Sequence, residues 1–198
     1  MIISSPPSES MMEIDSTDEN DLKGKVAIIG FSNGNLAIID LSLGAKEGLR
    51  SLSTGAGSSV NCVDFVPATG LIVCGTRSGA VHVFDTKRID EAEGPTFPII
   101  SFTRSGASIL SVAFSSSTTP SSLSVSSPSI LIGTADGLPF RAAIDTTLDE
   151  TTGRGSAHVL EEFAGLDCDS SIIAEARETG QVWVGGGDGV LRRYRRTA

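Results

Sequence analysis

The chain has 198 residues, 39% of them apolar, with 22 glycines and a formal net charge of −9. That is enough apolar material for one buried core, and no apolar run approaches the roughly 20 residues that cross a bilayer, so no membrane span is expected. Three cysteines without a framework and two histidines without a Cys-x-x-Cys partner fit a reducing compartment and offer no zinc cluster; no cofactor and no metal are expected.

Residues 1–23 come first. Within residues 1–22, Glu9, Glu13, Asp15, Asp18, Glu19 and Asp21 stand with no Lys or Arg, so this stretch carries −6 of the charge and leaves −3 for the rest. A segment this rich in acid, Ser and Pro cannot bury enough apolar surface to order itself, and a disordered acidic tail is expected. Its start, MIISSPPSESMM, has no basic region ahead of an apolar one, so it does not read as a secretory signal.

Residues 24–196 repeat themselves. The first unit, about 25–55, holds AIIGFSNGNLAIID and then LRSLST. The second, about 59–103, runs VNCVDFV, IVCGTRSGAVHVFD, FPIISFT. The third, about 108–164, runs ILSVAF, LIGTADGLPFRAAID, HVLEEF, with the low-complexity stretch 115–129 read as a flexible surface loop after its first strand. The fourth, about 170–196, runs SIIAEA and VWVGGGDGVLRRY. Each unit contains Gly-x-x-[Asn/Ser/Asp]-Gly between two apolar runs, led by Gly30, Gly75, Gly133 and Gly185, which by subtraction are 45, 58 and 52 residues apart. Asn-Gly, Asp-Gly and Ser-Gly between strand-like runs are hairpin turns, so these glycines read as turn punctuation. Four antiparallel strands in a unit of about 40 to 50 residues, the third ending on an apolar residue plus Asp, is the blade pattern of a β-propeller. The fold class expected is all-β: a partial propeller of about four four-stranded antiparallel blades, the first without its leading strand and the last without its closing one.

Rival motifs fail at specific positions. The dinucleotide fingerprint needs a third glycine where Gly185 and Gly187 are followed by Val190, and Gly55 and Gly57 by Val60. A phosphate loop would need Gly at Glu19 and Ser or Thr at Val26 around the pair Gly24-Lys25. GFSNG fits the nucleophile elbow of a serine hydrolase through Ser32, with His158 the only base in suitable order. That elbow must lead into a helix, however, and here it leads into the strand-like NLAIIDL, while the other units replace Ser32 with Arg77, Ala135 and Gly187. No enzyme is expected, with a hydrolase the remote alternative. The basic run LRRYRRTA reads as a solvated strand edge and tail rather than a nucleic-acid site. Cys62 and Cys74, on adjacent strands of one blade, read as small buried apolar side chains.

Strand direction alternates, so the turn between the second and third strands of a blade and the link to the next blade share one end. That end is expected to carry Asn33, Arg77, Asp136 and Asp188 from hairpins and Arg104, Asp167 and Asp169 from links. Such a rim is where propellers present binding residues. Asp136 and Asp188 also suit turn formation, whereas Asp167 and Asp169 flank a cysteine with no turn glycine between them and are the preferred contact candidates.

These repeats resemble WD-repeat propellers, though the Gly-His dipeptide is absent and Tyr194 precedes Arg195 rather than Asp. RSGASILSV (104–112), GLDCD (165–169) and GDGVLRRY (187–194) are similar to the C-terminal half of the proteasomal ATPase-associated factor 1 family, over roughly residues 75–194. The resemblance implies a chaperone for assembly of the proteasome regulatory particle, which binds the C-terminal domain of an ATPase subunit in the cytoplasm and nucleus. It also implies a seven-bladed ring, of which this chain holds about half. Open blade edges would invite self-association. Alternatives are a scaffold propeller of another complex, a truncated fragment, a sheet stack completed by a partner, or two copies completing one ring.

Overall fold

The structure, a computed structural model, describes residues 25–43, 47–89, 96–115, 128–176 and 178–195. The acidic segment 1–23 and most of the Ser-rich stretch lie outside the described residues.

Fourteen strands form four antiparallel sheets among the described residues. The first sheet is β1 (Val26–Gly30), β2 (Asn35–Asp40) and β3 (Leu49–Ser53). The second is β4 (Val60–Val66), β5 (Leu71–Thr76), β6 (Ala80–Asp85) and β7 (Ile100–Thr103). The third is β8 (Ile109–Phe114), β9 (Ser129–Thr134), β10 (Phe140–Asp145) and β11 (Ser156–Glu162). The fourth is β12 (Ser170–Glu175), β13 (Val182–Gly186) and β14 (Leu191–Tyr194). Within each sheet the strands pair in chain order. The second and third sheets have the four strands expected, and the first and fourth have three each among the described residues, in line with the expectation of a first unit without its leading strand and a last unit without its closing one.

The sheets stack through three apolar layers. Alternate residues of a strand point to opposite faces, and β5 divides accordingly: Ile72 and Cys74 pack with Leu36, Ile38 and Leu52 of the first sheet, whereas Val73 packs with Ile109, Ile130 and Ile132 of the third. On β9 the same alternation sends Ile130 and Ile132 toward the second sheet and Leu131 toward Ile173, Val182 and Val184 of the fourth. A fully buried Ile or Val contributes about 1.5–3 kcal/mol, so a strand buried on both faces reads as an unbroken apolar run.

The leading glycines do not make the turns. Gly30, Gly75, Gly133 and Gly185 lie within strands, and the first strand of the next sheet explains three of them. A Cβ on Gly30 would fall 2.6 Å from Val60 Cγ1, one on Gly133 would fall 2.7 Å from the Ser170 carbonyl, and one on Gly75 would collide with Ile109. The first strands of the second, third and fourth sheets each shift register opposite these glycines, between Val60 and Cys62, Ile109 and Ser111, and Ser170 and Ile172. A bulge at that place bends each first strand beside the glycine opposite it. The turn position is the second glycine of each motif: Gly34, Gly79, Gly137 and Gly189 have φ between 72° and 85°.

The Asp that ends β2, β6 and β10 has a local task. Asp40, Asp85 and Asp145 accept hydrogen bonds from the backbone N–H groups of Ser42, Lys87 and Thr147 at 2.9, 3.0 and 2.9 Å. Each is an Asx turn that directs the chain out of the strand.

Candidate protein-binding rim

Hairpins and links come together through one repeated hydrogen bond. The residue just before each first strand accepts, on its carbonyl, the N–H of a residue in the hairpin of the same sheet: Ser59 from Arg77 at 2.8 Å, Ser108 from Ala135 at 2.9 Å, Asp169 from Gly187 at 3.2 Å. The β1–β2 hairpin is tied to the first link by Thr54 N–H donating to Gly34 O at 3.2 Å, and by Val60 N–H donating to Phe31 O at 3.1 Å. Asn33, Arg77, Asp136, Asp188, Arg104, Asp167 and Asp169 therefore share one end of the molecule, on loops held by rigid sheets.

Within that rim the side chains differ. Arg104 clamps its own link: Nε lies 3.0 Å from Glu162 Oε1, Nη1 donates to the Leu138 carbonyl at 2.7 Å, and the guanidinium sits 5.2 Å from the centre of the Phe140 ring. Beside it, Ser105 Oγ donates to Asp136 Oδ2 at 2.8 Å and Leu138 N–H donates to Asp136 Oδ1 at 3.2 Å, so Asp136 joins link to hairpin. Asp188 accepts from Val190 N–H at 3.0 Å and pairs with Arg192 at 2.7 Å. The Arg192 guanidinium and that N–H hold its carboxyl well below the ordinary range. Both aspartates are engaged by their own turns.

Asp169 and Asp167 sit in the last link. Asp169 is half-buried; its Oδ2 accepts from Ser171 Oγ at 3.0 Å, and its Oδ1 occupies the space a side chain at Gly187 would need. Asp167 is exposed, as is Arg77 in the second hairpin. Cys168 between the two aspartates packs its carbonyl against Gly137 and its sulfur against Gly186, so the link is wedged between the third and fourth hairpins. The structure thus gathers Asp167, Asp169 and Asp188 around one link and Arg104 with Asp136 around another. Arg77 and Asn33 stand on the second and first hairpins.

The hydrolase motif lacks its context: Ser32 lies in a hairpin that leads into strand β2, and His158 is on β11, two sheets away. Cys62 and Cys74 are free thiols on paired strands; burial pushes both up to about 12, which keeps them protonated.

Sequence reasoning missed one polar cluster. Arg141 of β10 is 1% exposed, with Nη2 2.9 Å from Glu175 Oε1, Nε 2.5 Å from Glu161 Oε1 and Nη1 donating to Ser115 Oγ at 2.7 Å. Ser115 Oγ in turn donates to Glu175 Oε2 at 2.6 Å, which joins the third and fourth sheets. The signal was available: an Arg in the buried run FRAAID must be paired.

No protein-family model and no curated protein matches this chain. Among solved structures it is similar to Sqt1 of Chaetomium thermophilum, crystallised bound to the N-terminus of the ribosomal protein L10, with a TM-score of 0.66 and 17% sequence identity over 88% of this chain and 41% of that one. The fold is a partial β-propeller. The chain spans less than half the length of the Sqt1 chain, and at this identity the likeness speaks for the fold alone. The four sheets are blades, and the rim is the end of the blades where second-to-third-strand hairpins meet the links.

Proposed function

We propose that this chain is a non-catalytic protein-binding propeller segment that holds a partner on its hairpin-and-link rim. The observation that carries this reading is the rim itself: charged residues from three hairpins and two links converge on one end, with Asp167 exposed beside Asp169. Rigid blades with charged loops suit recognition, since loops held on a scaffold are where binding residues concentrate. That Sqt1 was crystallised on a protein N-terminus supports a protein as the partner.

The resemblance of residues 104–112, 165–169 and 187–194 leads us to name that partner as the C-terminal domain of a proteasomal ATPase subunit, held in the cytoplasm and nucleus while the regulatory particle assembles. The mechanism is steric occlusion, steered by charge between an acidic rim and a basic patch, which acts on encounter rate and partner choice more than on raw affinity. Reversing both charges in Asp167→Lys with Asp169→Lys is expected to weaken ATPase binding at least about tenfold, about 1.4 kcal/mol. Unchanged affinity by calorimetry removes this site. A second reading, a scaffold for another complex, is favoured by the ribosomal rather than proteasomal ligand in the Sqt1 structure. Pull-down by this chain from mixtures with and without proteasomal ATPases separates the two.

A further inference from the structure

The three junctions between blades are built from equivalent positions of the repeat, and the strand registers identify them. One position lies on the strand after the hairpin, opposite the residue two before the leading glycine: Ile38 opposite Ile28, Val83 opposite Val73 and Arg141 opposite Leu131. The other lies on the first strand of the following blade, opposite the residue three before that blade's leading glycine: Phe65 opposite Ile72, Phe114 opposite Ile130 and Glu175 opposite Val182. In the first junction Ile38 and Phe65 share one apolar layer, and in the second Val83 and Phe114 share another. In the third the same two places hold Arg141 and Glu175, paired at 2.9 Å with side chains 1% and 2% exposed.

In this arrangement each charge is matched. Arg141 Nη1 donates to Ser115 Oγ, which donates to Glu175 Oε2, and Glu161 sets a second carboxylate beside Arg141 Nε. The mutual attraction of such ions offsets about what their removal from water costs, so the pair adds little net stability. Any other docking upsets that balance. A first strand carrying Phe65 or Phe114 at this place would bury the Arg141 guanidinium without the Glu175 carboxylate. The strand carrying Glu175, set against Ile38 or Val83, would bury a carboxylate in an apolar layer. Removing one partner of a buried pair is costly, whereas replacing both by apolar residues is often neutral or stabilising. The first and second junctions do not discriminate at these places, since an Ile or Val meets a Phe in both.

We propose that the pair of Arg141 and Glu175 is a register lock: it selects the first strand of the fourth blade for the face of the third and rejects the apolar first strands of the other blades. Blades made from one repeat present similar apolar faces. Wrong docking within a chain, or exchange of a blade between chains, is the characteristic failure of such architectures. A polar pair at one junction breaks the similarity. None of these residues belongs to the rim, so the lock and the rim reading fail independently.

The test replaces both ions in the whole chain by the residues of the second junction, Arg141→Val with Glu175→Phe, and makes two measurements. Urea unfolding is expected to give a midpoint at or above that of wild type, while Arg141→Val and Glu175→Phe alone each lower it. Refolding from urea at about 10 μM, followed by light scattering, is expected to return at least about twofold less of the original species than wild type does, with the rest as exchanged or aggregated chains. Arg141→Met with Glu175→Leu keeps more of the arginine's volume and is expected to show the same split. A midpoint well below wild type in both double variants makes the pair a stabiliser and overturns the proposal, as does refolding as complete as that of wild type in either one.

Discussion

The second and third blades and the first and fourth are built from the same repeat, yet they are buried differently. Every residue of β5 and of β9 is buried, whereas every residue of β1 and of β14 is half-buried or exposed. The sequences do not explain this, since AIIG and IVCG are equally apolar. Neighbours do: a blade with a blade on either side fills both faces of each strand, and an end blade fills one. Stability in this molecule should therefore peak in the middle of the arc and fall toward its ends.

The sharpest way to break that comparison is to empty one position in the middle and one at an end. Phe140, 1% exposed in the third blade, is expected to cost about 3–5 kcal/mol as Phe140→Ala, while Ile29→Ala at the open end stays within about 0.5 kcal/mol under conditions where the chain is monomeric. Urea unfolding of both variants measures the gap; equal costs would mean that the end blade is covered.

A slightly smaller contrast separates two ion pairs. Glu175→Ala leaves the Arg141 guanidinium buried with part of its partner set gone, and is expected to cost about 3 kcal/mol. Arg192→Ala breaks a pair at the open end, where water and salt screen the charges, and is expected to leave the midpoint unchanged.

The smallest effect is a pH dependence of the second blade. His82 is 4% exposed, its Nδ1 2.9 Å from Ser101 Oγ, and burial lowers its pKa from 6.5 to about 4. The folded state therefore binds this proton less readily than the unfolded one. The contribution is full above pH 6.5 and is lost as pH falls toward 4, so between pH 7 and 5 stability is expected to drop by about 1–2 kcal/mol. Unfolding of wild type and His82→Gln at both values measures it; a drop of equal size in the variant assigns the effect to other groups.

Much of this fold was legible because its signals are local. VNCVDFV and ILSVAF coincide with β4 and β8, since apolar runs bounded by turn residues mark strands on their own. What was misread depends on neighbours that no short window contains. Gly75 looked like a turn residue, but its reason is Ile109, which belongs to the next blade. Arg141 went unremarked because its partners Ser115, Glu161 and Glu175 are 26, 20 and 34 residues away. At the rim, the shared end of hairpins and links followed from strand alternation alone. The tying of Asp136 to Ser105 and the burial of Asp169 beside Gly187 required the packed structure.

The most direct measurement is hydrogen exchange followed by mass spectrometry on the whole chain. Amides of β5 and β9 should exchange slowest, and those of β1–β3 and β12–β14 fastest, because the middle strands are filled on both faces and the end blades on one. End blades as protected as the middle ones would contradict the account of an arc whose burial falls toward its ends.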